Sequence, residues 1–277
     1  MSTDSNDISK IPPVADWPVP PRVRDCSPEV WQSSFDDHKG KFNFLPHTSF
    51  QPVMTALIVN ELRRRRAPKV LDIGCGHGIG TFVDYQWMIK RFCGDFQGVE
   101  PDPVVPIADG LFDRFQRTTL ENADLPDSYF DLAYSVFVME HVSDPAGYFR
   151  AAYRVLKPGG SILQMTPNAA AFFGFVSRWL HRAHVDEMLH KLMFKNAEVK
   201  PEHYEVASLC NTRREFQRFA TPAGFGEPEI AYFQLDGLQG YFPGPTKVVY
   251  HALMAKRKLL RSPGALDTMV VRLTRPA

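Results

Sequence analysis

An apolar run, Lys69 to Ile73, ends abruptly in Gly74, Gly76 and Gly78, within the segment VLDIGCGHGIG at residues 70–80. So short and apolar a run predicts a strand buried on both faces, the kind found in parallel sheets covered by helices. The glycines predict a turn whose backbone takes φ above zero or lies against a ligand. Downstream, helix and strand signals alternate. Gly80 to Cys93 has helical spacing, and Phe96 to Glu100 reads as a second strand. Val104 to Phe115 reads as a short helix with Pro106 in its first turn, and Arg117 to Leu120 as a weak third strand. Phe130 to Val136 is a fourth strand, Asp144 to Leu156 a helix stopped by Pro158, Gly159 and Gly160, and Ser161 to Met165 a fifth strand. The rhythm resumes with a helix over Thr212 to Ala220, a strand over Glu229 to Leu235, a helix over Lys247 to Leu260 and a last strand over Met269 to Leu273. Such alternation predicts an α/β architecture, a mostly parallel sheet with helices on both faces.

The flanking segments are less regular. Residues 1–30 are rich in proline, which fixes φ and removes a donor, and read as an extended or disordered arm. Trp31 to His47 carries Phe35, Phe42 and Phe44 and is expected to pack on the domain or over its site. Residues 49–66 look helical and end in Arg63 to Arg66, which suit the negative end of a helix dipole and are more plainly a solvated basic end than an anion site. Residues 168–206 interrupt the alternation with a helical insertion rich in aromatics and Met, either a lid over an apolar acceptor or a hairpin packed on the domain. Its basic residues Arg178, Arg182, Lys191 and Lys195 raise contact with a membrane surface, which Asp186 and Glu187 oppose. The expected organisation is therefore an arm over 1–30 and one domain over 31–277.

With 277 residues and 44% hydrophobic composition the chain can bury one large core. Its 32 basic and 31 acidic residues give a net charge of +1, so bulk attraction argues for no nucleic-acid partner. Cys26, Cys75, Cys93 and Cys210 form no CxxC pair and read as reduced thiols, consistent with a cytoplasmic protein. No secretory signal and no transmembrane run is expected.

The glycine turn narrows the ligand. A dinucleotide fingerprint counted from Gly74 and Gly76 would need a third glycine where Ile79 stands, and a phosphate loop would need Gly-Lys-Ser/Thr, which this turn lacks. Asp72, just before the turn, would repel a diphosphate and attract an ammonium. Glu100, closing the second strand, is placed to accept the hydroxyls of a ribose; as a mere surface residue it would not end an apolar strand at the ligand edge.

Four further segments complete a pattern: GVEPDP, NADLPDSYFDLAYS, VMEHVSDP and RVLKPGGSIL. With the glycine turn, their order and spacing over Val70 to Gln164 resemble class I S-adenosylmethionine-dependent methyltransferases, in the broad group that includes ubiquinone-biosynthesis O-methyltransferases. The closing TMVVRLTRP resembles that family's last strand. The resemblance implies a Rossmann-like, seven-stranded sheet with its final strand antiparallel, and S-adenosyl-L-methionine as cofactor. It implies that Asp72 and the Gly74–Cys75–Gly76 backbone hold the methionine part and that Glu100 holds the ribose. Pro101 would pack on adenine, Asn122 and Ala123 would read its edge, and Ser135 to Phe137 would lie beside the cofactor.

A hydroxyl acceptor needs a general base. His141, in the loop after the fourth strand, and His203 are the candidates, with Tyr204 behind them; His141 equally well orients its loop. In quinone O-methyltransferases a metal-binding Glu stands three residues before the Glu-His pair, and here that position is Phe137 beside Glu140 and His141. No metal is therefore expected, and a catechol acceptor is disfavoured. His181, His184 and His190 read as solvated or lid-facing rather than as ligands. The expected function is methyl transfer to a small-molecule acceptor, apolar or lipid-like, at oxygen. The alternatives are a nicotinamide-dependent oxidoreductase and a cofactor-binding relative without catalysis.

Overall fold

The computed structural model describes residues 28–171, 207, 209–236 and 247–277. Calls that fall on 1–27 and 172–206, including the proline-rich arm, the insertion and His203, lie outside the described residues. The strands are β1 (Phe42–Phe44), β2 (Lys69–Ile73), β3 (Asp95–Val99), β4 (Arg114–Gln116), β5 (Phe130–Val136), β6 (Leu156–Pro167), β7 (Glu229–Gln234) and β8 (Thr268–Thr274). They form one sheet in the order β1-β7-β8-β6-β5-β2-β3-β4. All pairs are parallel except those of β8, which runs antiparallel to both β6 and β7. The sheet thus has eight strands where seven were expected. The extra one, β1, pairs parallel to β7 at the edge, and Asn43 fastens it by donating to the Tyr232 carbonyl at 2.8 Å. Three residues are too few to show an alternating pattern in sequence.

Helices cover both faces. On one lie α1 (Pro28–Gln32), α2 (Phe35–His38), α3 (Phe50–Leu62) and α4 (Val83–Lys90); on the other lie α5 (Pro145–Val155) and α6 (Arg213–Ala220). A further helix, α7 (Lys247–Leu260), packs Tyr250 and Met254 against Phe44 at the β1 edge. Ten of the thirteen residues of α3 are buried, because Trp31 and Phe35 from the preceding segment cover the side that would otherwise meet water. Asn60 holds that cover in place by donating to the Trp31 and Ser33 carbonyls. The aromatic segment upstream therefore packs on the domain, as expected.

Two local expectations fail. Residues 104–113 form turns and bends, not a helix, and 114–115 belong to β4: the Asp102 carboxylate accepts the Val104 N–H at 2.9 Å, and this local bond competes with helix nucleation. The third strand of the parallel set, β4, lies at Arg114–Gln116 rather than at Arg117 to Leu120, where a short 3-10 turn over Leu120–Asn122 follows instead.

Candidate functional site

The C-terminal ends of β2, β3 and β5 lie side by side, with Asp72 in register with Gly98 on one side and with Tyr134 on the other. Gly74 takes φ +65, and a Cβ there would sit 2.5 Å from the Val138 side chain. At Gly78, with φ +107, a Cβ would meet the Phe82–Val83 backbone at 2.4 Å. Only glycine allows the turn to fold so tightly.

Inside this turn the backbone donors are already engaged. The Gly74 and Cys75 N–H groups both donate to the Val99 carbonyl, at 2.8 and 3.2 Å. Gly76 donates to Glu100 Oε2 at 2.8 Å, and Gly78 to the Cys75 carbonyl at 3.1 Å. The helix that follows, α4, begins only at Val83, beyond the turn. Acceptors dominate what remains. Asp72 and Glu100 bracket the turn, 3% and 4% exposed, and among the described residues no basic side chain bonds to either. The Asp72 Oδ2 accepts from the Tyr134 hydroxyl at 2.6 Å and from Gln86 Nε2 at 2.8 Å, while Glu100 Oε1 accepts the Asp102 N–H at 2.9 Å. Burial pushes the Asp72 carboxyl up to about 7 against the pull of these two hydrogen bonds, and the nearby Glu100 charge adds to the rise. Burial and the Asp72 charge likewise raise the Tyr134 phenol far above its usual range. Such a lining rejects phosphate and attracts a cation bearing hydroxyls.

Beside the turn opens a cavity of about 190 Å³, walled by Ile73, Gly74, Val99, Pro101, Thr118, Thr119, Leu120, Glu121, Val138, His141, Val142, Ser143 and Tyr148. Val138 of this wall is preceded by Phe137, which, although expected beside the cofactor, is not part of the wall. Phe137 holds φ +55, uncommon for a bulky side chain, with its N–H on the Met165 carbonyl at 2.8 Å and its ring edge-on to Phe50 at 4.8 Å. The chain thereby leaves β5 sharply, and the Val138 to His141 turn folds over the opening.

A family model described as a methyltransferase domain matches residues 47–225. The chain belongs to the class I S-adenosylmethionine-dependent methyltransferases. S-adenosylmethionine is the cofactor of this family, and the acceptor-lined turn fits its ammonium, sulfonium and sugar hydroxyls. The nicotinamide reading is set aside by this family membership.

Among curated relatives, this methyltransferase is 32% identical over 127 residues to a ubiquinone biosynthesis O-methyltransferase of Cereibacter sphaeroides, covering 40% of this chain and 49% of that one. It is 33% identical over 116 residues to phosphoethanolamine N-methyltransferase 3 of Arabidopsis thaliana, covering 39% and 23%. The chain spans about half the length of the ubiquinone-biosynthesis relatives it matches. Among solved structures, the YcgJ protein of Bacillus subtilis superposes with a TM-score of 0.50 at 18% identity, over 80% of this chain and 98% of that one. A geranyl diphosphate methyltransferase holding geranyl diphosphate and sinefungin superposes with 0.50 at 15% identity, over 80% and 76%. These two share the fold.

The candidate residues of the methyltransferase fall into three places. Asp72, Gly74, Cys75, Gly76 and Glu100 form the turn, and Pro101 and His141 line the cavity. Cys75 is buried and its thiol is pushed up, so it stays protonated and serves through its backbone. Asn122 and Ala123 do not line the cavity; Thr118 to Glu121 do. Ser135 is fully buried one layer behind, its hydroxyl 3.5 Å from the Tyr148 hydroxyl. Gln86, Tyr134 and Tyr148 escaped the sequence reading. Tyr134 carried no local signal, since it comes beside Asp72 only through the register that pairs β2 with β5. Among the described residues, no group of three or more His, Cys, Asp or Glu converges as a metal site would.

Proposed function

We propose that this chain transfers the methyl group of S-adenosylmethionine to a hydroxyl of a small, largely apolar molecule by in-line displacement. The carrying observation is the Gly74–Gly76 turn, whose donors are engaged internally and whose free faces are carboxylate and carbonyl. Asp72 and the Gly74 carbonyl hold the cofactor's ammonium, Glu100 its ribose, and Pro101 with Thr118 to Glu121 the adenine, in place of Asn122 and Ala123. When bound, the cofactor supplies a methyl group made electrophilic by its sulfonium.

The chain's own work is positioning and proton removal. Placement of two reacting groups is worth roughly 7–11 kcal/mol. His141 lies at the cavity wall and takes the acceptor's hydroxyl proton as the oxygen–carbon bond forms and the carbon–sulfur bond breaks. Beyond it, the Thr166 hydroxyl donates to Glu140 at 3.1 Å and accepts from Asn211 at 2.6 Å, so the strand ends present polar groups on the side away from the turn. Oxygen as the acceptor atom is supported by the matched relatives named O-methyltransferases, while the N-methyltransferase relative makes an amine the competing case. An amine with its lone pair free needs no base.

The test is transfer of a radiolabelled methyl group to extracted small molecules, comparing wild type with His141→Ala. Loss of about 10²–10⁴ in kcat, with cofactor affinity retained, is expected for oxygen. Undiminished kcat, or labelled amines as the sole product, would refute the hydroxyl assignment.

A further inference from the structure

Seven large apolar side chains stand exposed among the described residues, and four belong to α7: Val248 at 73%, Val249 at 54%, Leu259 at 82% and Leu260 at 62%. The helix is firmly seated by its other face. Tyr250, Met254 and Arg257 are buried, at the i, i+4, i+7 spacing of one helical stripe. Arg257 forms a bidentate pair with Asp267 and also donates to Gln234, so its charge is neutralised inside. Diametrically opposite, Val248, Ala252, Ala255 and Leu259 follow the same periodicity and all are exposed. Lys247 and Lys258 flank this stripe on one side, Val249, Lys256 and Leu260 on the other, with Arg261 at the end. Lys256 and Lys258 enter no ion pair among the described residues. No acidic residue occurs between Asp236 and Asp267.

An ordinary solvated helix would alternate both signs of charge on that face. A face of leucine and valine edged only by cations is built for a surface that is apolar within and anionic at its rim. We propose that the outer face of α7 docks the protein onto a bilayer containing anionic phospholipid. A symmetric pairing with a second copy is disfavoured, since it would set lysine against lysine. Nucleic acid is disfavoured because Leu259 and Leu260 offer nothing to a phosphate backbone.

Flotation of the full chain with vesicles tests this, comparing phosphatidylcholine alone with mixtures holding about 30% phosphatidylglycerol. Binding should be at least tenfold stronger to the anionic vesicles and should fall with salt. The pair Lys256→Glu and Lys258→Glu should weaken it by at least about 25-fold, from about fivefold per lysine near the surface. Val248→Ser with Leu259→Ser should also abolish stable binding. Cofactor affinity by calorimetry should stay at the wild-type value in both, which shows intact folding and keeps this test separate from that of methyl transfer. Absence of vesicle binding, equal binding to neutral vesicles, or a dimer in sedimentation that depends on Leu259 would each overturn the proposal.

Discussion

Asp72 is where a single residue most directly sets behaviour. Its folded carboxyl titrates at about 7 against 3.8 for an ordinary aspartate, chiefly because it is buried. A raised carboxyl favours the folded state below its ordinary value, and that contribution is lost as pH climbs through about 7. Cofactor binding runs the other way, because an ammonium prefers the ionised carboxylate. Calorimetry across that range should show affinity rising with pH and levelling off above about 7, with protons released on binding. A flat profile would contradict the assignment. Tyr134→Phe removes the 2.6 Å hydrogen bond that stabilises the ionised form, and should move the same profile to higher pH. Glu100→Ala removes the acceptor of the Gly76 N–H and, in the proposed binding mode, that of the sugar; a charged hydrogen bond is worth about 1.5–3 kcal/mol, so affinity should drop by roughly 10–150-fold. At Gly78 the cost is conformational: Gly78→Ala forces a Cβ into the Phe82–Val83 backbone at positive φ, and thermal unfolding should register a loss of about 1–3 kcal/mol even without ligand.

At the scale of elements, the site depends on how the edges of the sheet are tied down. Arg272 on β8 donates to Glu229 at 2.8 Å, Glu61 at 3.0 Å and Asp36 at 2.6 Å, and so joins β7, α3 and α2. Its guanidinium holds the Asp36 carboxyl below the usual carboxylate range, and with Lys39 does the same for Glu229 against the effect of burial. Arg272→Ala strands these carboxylates; Asp36 and Glu229 are partly solvated, so the loss lies toward the low end of the roughly 3–5 kcal/mol seen for broken buried pairs. Urea unfolding should report it, and hydrogen exchange should show residues 28–44 opening first. Because depressed carboxylates lend stability above their ordinary range, the difference between wild type and variant should shrink as pH falls through the folded values. The elements themselves were legible to differing degrees. The strands β2, β3 and β5, and the helix α7 with its bounds at Lys247 and Leu260, follow from hydrophobic runs and their period. β1 and β4 were missed or shifted because three-residue strands are chosen by their neighbours, here β7 and β3, rather than by their own pattern.

For the molecule as a whole, one hydrophobic layer packs against each face of the sheet, and both form only in the folded chain. A ligand that binds only the folded chain should therefore raise its unfolding temperature, by about 2.7 kcal/mol of stability at a hundredfold excess over Kd. S-adenosylmethionine should give this shift and reduced nicotinamide dinucleotide should give none. No helix among the described residues is long and apolar enough to cross a membrane.

The sequence alone determined the α/β class, the glycine turn and the two carboxylates that flank it. Those features are local: a short apolar run, a positive-φ turn and a strand-end charge are each written in a few consecutive residues. Tertiary structure decided the rest. It brought Gln86 and Tyr134 onto Asp72 from an adjoining helix and strand, engaged the turn's own N–H groups on Val99 and Glu100, and put Thr118 to Glu121 at the cavity instead of Asn122 and Ala123. It also left Val248 and Leu259 facing outward while Tyr250 and Met254 turned in. In each case the outcome depends on which residues distant in the chain come into contact, and no local pattern carries that information.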